Sequence, residues 1–299
     1  MRAELWRQAY WPPVLWNAGL SYHAGPLPGE PVDGNFESVG GARVHYVDRG
    51  SGAPVVLLHG FASSLEIWSR LIPMLSRDHR VIAVDLKGFG WSDRPQGDYS
   101  PRAQAALVWA LLDKRGIDQA TLVGHSWGAS VALAMALGAA KRTSRLVLYN
   151  AWAYEAQMSM SFRWSRSLGI GETLFRLYDS NWARGHLAFG FHKPVHVTPD
   201  LVARLKSRMD RPGARAAALA TLRAMNFVQQ QTRYTSLRMP ALILWGQHDS
   251  ISGPAFGRQL ASDLCGELVV FPRCGHFPMI EATEASNATL HRFLFTARS

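Results

Sequence analysis

The chain is expected to be an α/β protein built on a mostly parallel sheet. Three observations say so. Short apolar runs recur along the sequence, helix-length stretches separate them, and chemistry-bearing residues follow several of the runs directly. The runs are PVVLLHG (54–60), VIAVDL (81–86), ATLVGHS (120–126), RLVLYNA (145–151), ALILWG (241–246) and ELVVFP (267–272). Unbroken apolar runs of this length suit strands buried on both faces, as parallel strands are. A further segment, ARVHYVD (42–48), alternates apolar and polar residues and reads as a half-buried strand. Helices are expected over 65–76, 101–115, 128–140, 254–263 and 281–295. The second opens on Ser100 and Pro101, a capping residue followed by a first-turn proline. Strand alternating with helix is the pattern of a parallel sheet covered by helices. Ligands of such sheets sit at the carboxyl ends of strands, so the search for chemistry begins there.

Composition narrows the class. The 299 residues, 47% hydrophobic and 18% charged, suffice for one large core or two smaller ones. No run approaches the ~18 apolar residues of a membrane-spanning helix. The opening MRAELWRQAYWPPVLW lacks the apolar stretch and cleavage site of a secretory signal. The two cysteines, Cys265 and Cys274, flank ELVVF, a strand of ~17 Å at about 3.3 Å per residue. A disulfide needs Cα atoms within ~7 Å. Free thiols and a reducing compartment, the cytoplasm, are expected. Histidines and cysteines match no zinc spacing and no phosphate-binding loop occurs, so neither metal nor cofactor is expected. Nucleic-acid binding has no supporting motif.

Four of the strand ends carry an unusual set of residues. His59-Gly60-Phe61 follows VVLL, Gly124-His125-Ser126-Trp127-Gly128 follows TLV, Gly246-Gln247-His248-Asp249 follows LILW, and Gly275-His276-Phe277 follows LVVFPRC. A serine, an acid and a histidine thus appear in that order, each past a different strand. This pattern resembles the α/β-hydrolase family over nearly all of residues 35–297. That family carries its nucleophile on a strand, G-x-S-x-G, helix elbow, with triad order serine, acid, histidine. The resemblance implies a core of residues 35–151 and 236–299, with a helical cap, 152–235, inserted between strands six and seven. Residues 1–34 remain as an aromatic N-terminal arm.

The residue types fit acyl chemistry. A serine hydroxyl attacks well only when a base takes its proton. His276 is the expected base, and Asp249 the acid that fixes its tautomer and stabilises its cation. The backbone N–H groups of Phe61 and Trp127 are the expected oxyanion donors. Asp263 and Glu267 compete with Asp249, and His248 and His291 with His276; His248 sits beside the acid itself, and the other three follow no strand end. Some members of the family place the acid after the preceding strand; here that position reads Tyr149-Asn150-Ala151, without a carboxylate. His59 and His125 are expected to hydrogen-bond the loops beneath the site, and Asp85, Gly88 and Gly90 to shape the exit of the fourth strand. Epoxide hydrolases and haloalkane dehalogenases of this family use aspartate as nucleophile, so serine at position 126 points away from them. HGFASS also departs from the H-G-G-P-G turn of proline iminopeptidases.

The aromatic stretch 152–235 implies a small hydrophobic acyl substrate. His125, Trp152, Met158 and Phe277 are the candidate substrate contacts. The expected activity is a serine carboxylic ester hydrolase. An acyltransferase, a C–C bond hydrolase acting on a diketone, and a non-hydrolytic accessory protein remain open on the same residues. The stretch 152–235 also holds 12 Lys and Arg against 5 Asp and Glu, most of the net charge of +10. Trp6, Tyr10, Trp11 and Trp16 crowd the arm beside Arg2 and Arg7. They suggest either packing on the body or a weak peripheral membrane contact through residues 1–30.

Overall fold

The computed structural model describes residues 20–27, 29–31 and 34–295; the aromatic side chains singled out in the arm lie outside that range. Eight strands form one sheet: β1 (Asn35–Val39), β2 (Ala42–Arg49), β3 (Ala53–Leu58), β4 (His79–Val84), β5 (Ala120–His125), β6 (Thr143–Tyr149), β7 (Ala241–Gly246) and β8 (Glu267–Phe271). Their spatial order is β1-β2-β4-β3-β5-β6-β7-β8. β2 runs antiparallel to both β1 and β4, and every other pairing is parallel. β5 and β7 are buried along their whole length, as their unbroken apolar runs require. β1, NFESV, is a polar edge strand that the periodicity did not disclose.

The helices are α1 (Ile72–Leu75), α2 (Pro101–Lys114), α3 (Trp127–Gly138), α4 (Met160–Ser165), α5 (Ile170–Arg176), α6 (Ser180–Gly190), α7 (Pro199–Asp210), α8 (Ala214–Ala224), α9 (Val228–Gln231), α10 (Pro254–Leu264), α11 (Pro278–Glu281) and α12 (Thr283–Phe295). The Ser100 hydroxyl caps α2 by accepting from Ala103 N. The single helix expected over 65–76 is instead a 3₁₀ turn at Leu65–Trp68 and the short α1. Pro73 lacks the amide that would continue the turn into α1. The helix expected over 281–295 is α12, which begins at Thr283; the short α11 precedes it.

The sheet separates two apolar layers. One packs Trp127 and the small residues of α3 with Leu58, Leu122 and Trp245; the other packs Trp68 and Tyr149 with Leu57, Val123 and Leu244. Helices α4–α9 all lie between β6 and β7. They do not behave as one separate body. Leu219 and Leu222 of α8, with Met225, Phe227 and Tyr234, join the first layer. Ala183, Leu187, Phe191 and Val202 of the α6–α7 region form a small cluster of their own. Cys265 and Cys274 are both unbridged. Among the described residues no helix is long and apolar enough to cross a membrane.

Candidate active site

Ser126 stands at the hinge between β5 and α3. Its backbone adopts φ 52° and ψ −119°, a conformation that costs a non-glycine residue of order 1–3 kcal/mol. The surrounding backbone holds it there. Ser126 N donates to Tyr149 O at 2.9 Å, and Ser126 O accepts from Ala129 N and Trp152 N, both at 3.0 Å. The flanking glycines make the turn possible. A Cβ on Gly124 would stand 2.5 Å from Gly128 O and 2.6 Å from Ala129 Cα; one on Gly128 would stand 2.7 Å from Leu58 C. Their bare backbones let α3 fold back onto β5 and lie against the end of β3.

Asp249 and His276 lie on neighbouring loops that cross at close range. His248 N donates to Cys274 O at 2.8 Å and Gln247 N to Phe271 O at 2.9 Å. Gly246 abuts the backbone of Gly275, where a side chain has no room. Asp249 is buried. Its Oδ1 accepts from Ile251 N at 2.9 Å and Ser252 N at 3.0 Å, and its Oδ2 lies 2.9 Å from His276 Nδ1. A carboxylate can only accept, so Nδ1 carries the proton and Nε2 keeps the lone pair of a base. Ser126 and His276 line one cavity. The hydrogen-bonded link among these three side chains is Asp249–His276; no hydrogen bond joins Ser126 to His276. Catalytic hydrogen bonds are often long until substrate is bound.

One further member of the site escaped the sequence reading. Asn150, fully buried at the end of β6, donates from Nδ2 to Asp249 Oδ2 at 2.6 Å. It directly follows β6, the strand after which some members of the family place their acid. It too has a positive φ, 41°, which asparagine tolerates better than most residues.

The histidines beneath the site are neutral spacers. His59 Nδ1–H donates to Gly60 O at 2.8 Å while Nε2 accepts from Leu86 N at 3.0 Å. His125 Nε2–H donates to His276 O at 2.9 Å. Burial holds His59 below the ordinary histidine range. Burial, and secondly the repulsion between the two imidazoles in their protonated forms, holds His125 well below it. Asp85 is also buried, bonded to His45 Nδ1 at 2.7 Å, Leu65 N at 2.7 Å and Trp91 N at 2.8 Å. Burial works to raise its carboxyl, but these bonds and the neighbouring histidines hold it low. The Asp85 carboxylate fills the space where a side chain on Gly90 would stand, and it ties the β4 exit in place.

The cavity holds about 920 Å³ between the carboxyl edge of the sheet and helices α4–α7. Phe61, His125, Trp152 and Phe277 line it with Ser126 and His276. Met158 does not, contrary to expectation. It is buried in the main core, its sulfur 3.5 Å from Arg166 Nη1; an unbranched apolar side chain finds fuller burial there than on a cavity wall. His186 of α6 also lines the cavity and had not been singled out. Trp127 turns its ring away, packing 5.3 Å from Phe89. Its amide, the first of α3, has no acceptor within the helix. Gly60 packs against Ser126, since a Cβ there would stand 3.2 Å from Ser126 Cβ, and this brings the Phe61 turn alongside.

Comparison with known proteins agrees with this architecture. The chain is 30% identical over 273 residues to the 2-hydroxy-6-oxo-2,4-heptadienoate hydrolase of Pseudomonas putida, covering 87% of this chain and 96% of that one. The structure of a meta-cleavage product hydrolase from Pseudomonas fluorescens IP01, an S103A mutant with acetates, matches with a TM-score of 0.75 at 26% identity, covering 87% and 97% of the two chains. A thermophilic esterase from Thermogutta terrifontis matches with a TM-score of 0.77 at 25% identity, covering 88% and 98%. Residues 53–283 match the family model described as alpha/beta hydrolase fold, and the chain belongs to that family.

Proposed function

We propose that the protein is a serine hydrolase that cleaves a carboxylic ester, or a related acyl bond, of a hydrophobic small-to-medium substrate. The observation that carries this reading is the shared cavity wall. Ser126 stands there on a strained elbow beside His276, whose far nitrogen is held by Asp249. Ser126 Oγ attacks the acyl carbon while His276 Nε2 takes its proton. The oxyanion accepts hydrogen bonds from Phe61 N–H and Trp127 N–H, each worth about 3 kcal/mol in the transition state. The C–O bond breaks as His276 protonates the leaving alcohol. A water, deprotonated in turn by His276, then releases the acid and restores Ser126. Asn150 supports the carboxylate through its bond to Oδ2. The aromatic lining gives the apolar part of the substrate its place.

A second reading has a specific basis. One relative, similar along most of both chains, is named for the hydrolysis of a 2-hydroxy-6-oxo-dienoate, and hydrolysis of a C–C bond beside a ketone would use the same three side chains. One comparison separates the readings: wild type against Ser126→Ala with a fluorophosphonate probe, a p-nitrophenyl ester chain-length series and a 2-hydroxy-6-oxo-dienoate. The ester reading expects labelling at Ser126, turnover that rises with acyl length before falling, and a loss of roughly 10,000-fold or more in kcat for Ser126→Ala. Labelling that persists in Ser126→Ala defeats the nucleophile assignment. Turnover of the dienoate with negligible ester hydrolysis favours C–C cleavage.

A further inference from the structure

The large apolar side chains that stand exposed are distributed unevenly. Among the described residues all but Val270 and Phe295 belong to the segment between β6 and β7. Three of them also line the cavity: Trp164 at 59% exposure, Trp182 at 46% and Val195 at 73%. A side chain that is both exposed to this extent and part of the cavity wall stands at its rim. Two tryptophans and a valine therefore ring the mouth of an apolar cavity. Met160, 60% exposed, lies one turn from Trp164 on the same face of α4 and extends the patch outward.

The charge around this mouth is cationic. Arg70, Arg204 and Arg208 are part of the cavity wall, against one acid, Glu66, which Arg208 pairs. Arg204 pairs with Asp200. Among the described residues Arg70 bonds only the Thr283 hydroxyl, at 3.3 Å. Asp179, at the start of α6, accepts from Asn181 N and Trp182 N and keeps its negative charge.

We propose that the mouth of this cavity docks on an anionic lipid surface. Exposed contiguous apolar side chains mark interaction sites. Tryptophan settles at the headgroup level of a bilayer, and arginines add attraction to anionic headgroups of about 1 kcal/mol each. Here both lie at the opening of an apolar chamber, so an apolar substrate passes from the bilayer into the cavity without crossing water. The docking is independent of which bond Ser126 breaks, and a failure of the hydrolase reading leaves the binding test intact.

The test is co-sedimentation of the full-length chain with vesicles of phosphatidylcholine alone and of phosphatidylcholine mixed with phosphatidylglycerol. Wild type binds the mixed vesicles, loses binding as salt rises, and binds the neutral ones about tenfold less. The double variant Trp164→Ser/Trp182→Ser binds the mixed vesicles about tenfold less than wild type. Met160→Glu, which lies outside the cavity wall, also weakens binding while leaving the melting temperature and the hydrolysis of a soluble short-chain ester unchanged. Undiminished binding by both variants overturns the proposal and places the contact elsewhere, with Trp6 and Trp11 of the arm the competitors. Failure of wild type to bind mixed vesicles, or equal binding to neutral ones, overturns it as well.

Discussion

Asp249 Oδ2 receives two hydrogen bonds, from His276 Nδ1 and from Asn150 Nδ2. Both nitrogens therefore stand around one oxygen, 2.9 and 2.6 Å from it, which places residue 150 on the same side of the imidazole as Asp249. Asp249→Asn presents an amide that can donate to Nδ1 and favour the wrong tautomer; it should lower kcat by about 10,000-fold. Adding Asn150→Asp to that variant restores the acid from the other strand, and at least a tenfold recovery of kcat is expected. Single-turnover kinetics of the two variants at equal substrate saturation decide it; no recovery would mean that the β6 end cannot present an acid to His276. Residues of this kind mark how far a sequence can be read. That Asp249 meets His276 and that Ser126 and His276 share a cavity wall was legible, because each of the three follows a strand end. Asn150 was noticed only as a missing carboxylate, since a hydrogen bond between residues so far apart in sequence leaves no local pattern. Met158 was misplaced for a related reason: hydrophobicity says that a side chain is buried, not into which space it turns.

Between β5 and α3 the chain turns with no spare volume. Gly124 and Gly128 face each other across that turn, and Gly128 also faces the β3 end. The obstructing atoms are backbone, which cannot rotate aside as a side chain can. Gly128→Ala must therefore push α3 off Leu58 and His59, and overpacking of this sort costs about 1–3 kcal/mol, occasionally more. Urea denaturation should show the midpoint falling with an unchanged slope, together with loss of any Ser126 reactivity toward fluorophosphonates. A variant with wild-type midpoint and labelling would show that the elbow tolerates a methyl group and that the close packing is not required. The elbow was readable because its spacing states its geometry. β1 was not, because NFESV is a polar edge strand whose only sheet partner is β2, so no buried face imposed a pattern. The stretch 65–76 misled for the opposite reason: its apolar spacing is helical, but Pro73 at the start of α1 divides it.

At the scale of the whole molecule, the sheet is drawn over a layer of neutral buried histidines, and this links its stability to pH. The parallel core was legible because strands buried on both faces have to be apolar; the path of 152–235 was not, because α8 and Met209 of α7 join the main core while Ala183, Leu187, Phe191 and Val202 form a separate cluster. His59 and His125 sit below the carboxyl edge of that core, both held below their ordinary range by burial. In the unfolded chain each takes up a proton near pH 6.5. Below that pH the unfolded state binds more protons than the folded one, so stability falls as pH falls, with a limiting slope of about 1.4 kcal/mol per pH unit for each histidine. The slope persists down to their depressed folded values. Asp85 has linkage of the same sign in a lower window: its carboxyl is held low in the fold, so its contribution is kept down to about pH 4 and lost only below. Between pH 7.5 and 5.5 the histidines therefore dominate, and a loss of about 1–3 kcal/mol is expected. Urea midpoints at the two pH values measure it. His59→Gln, which cannot titrate, should lose part of the pH slope whatever its stability at pH 7.5. A midpoint that does not move between pH 7.5 and 5.5, or a His59→Gln slope equal to that of wild type, would mean that the protons of the buried layer are taken up as readily in the fold as outside it.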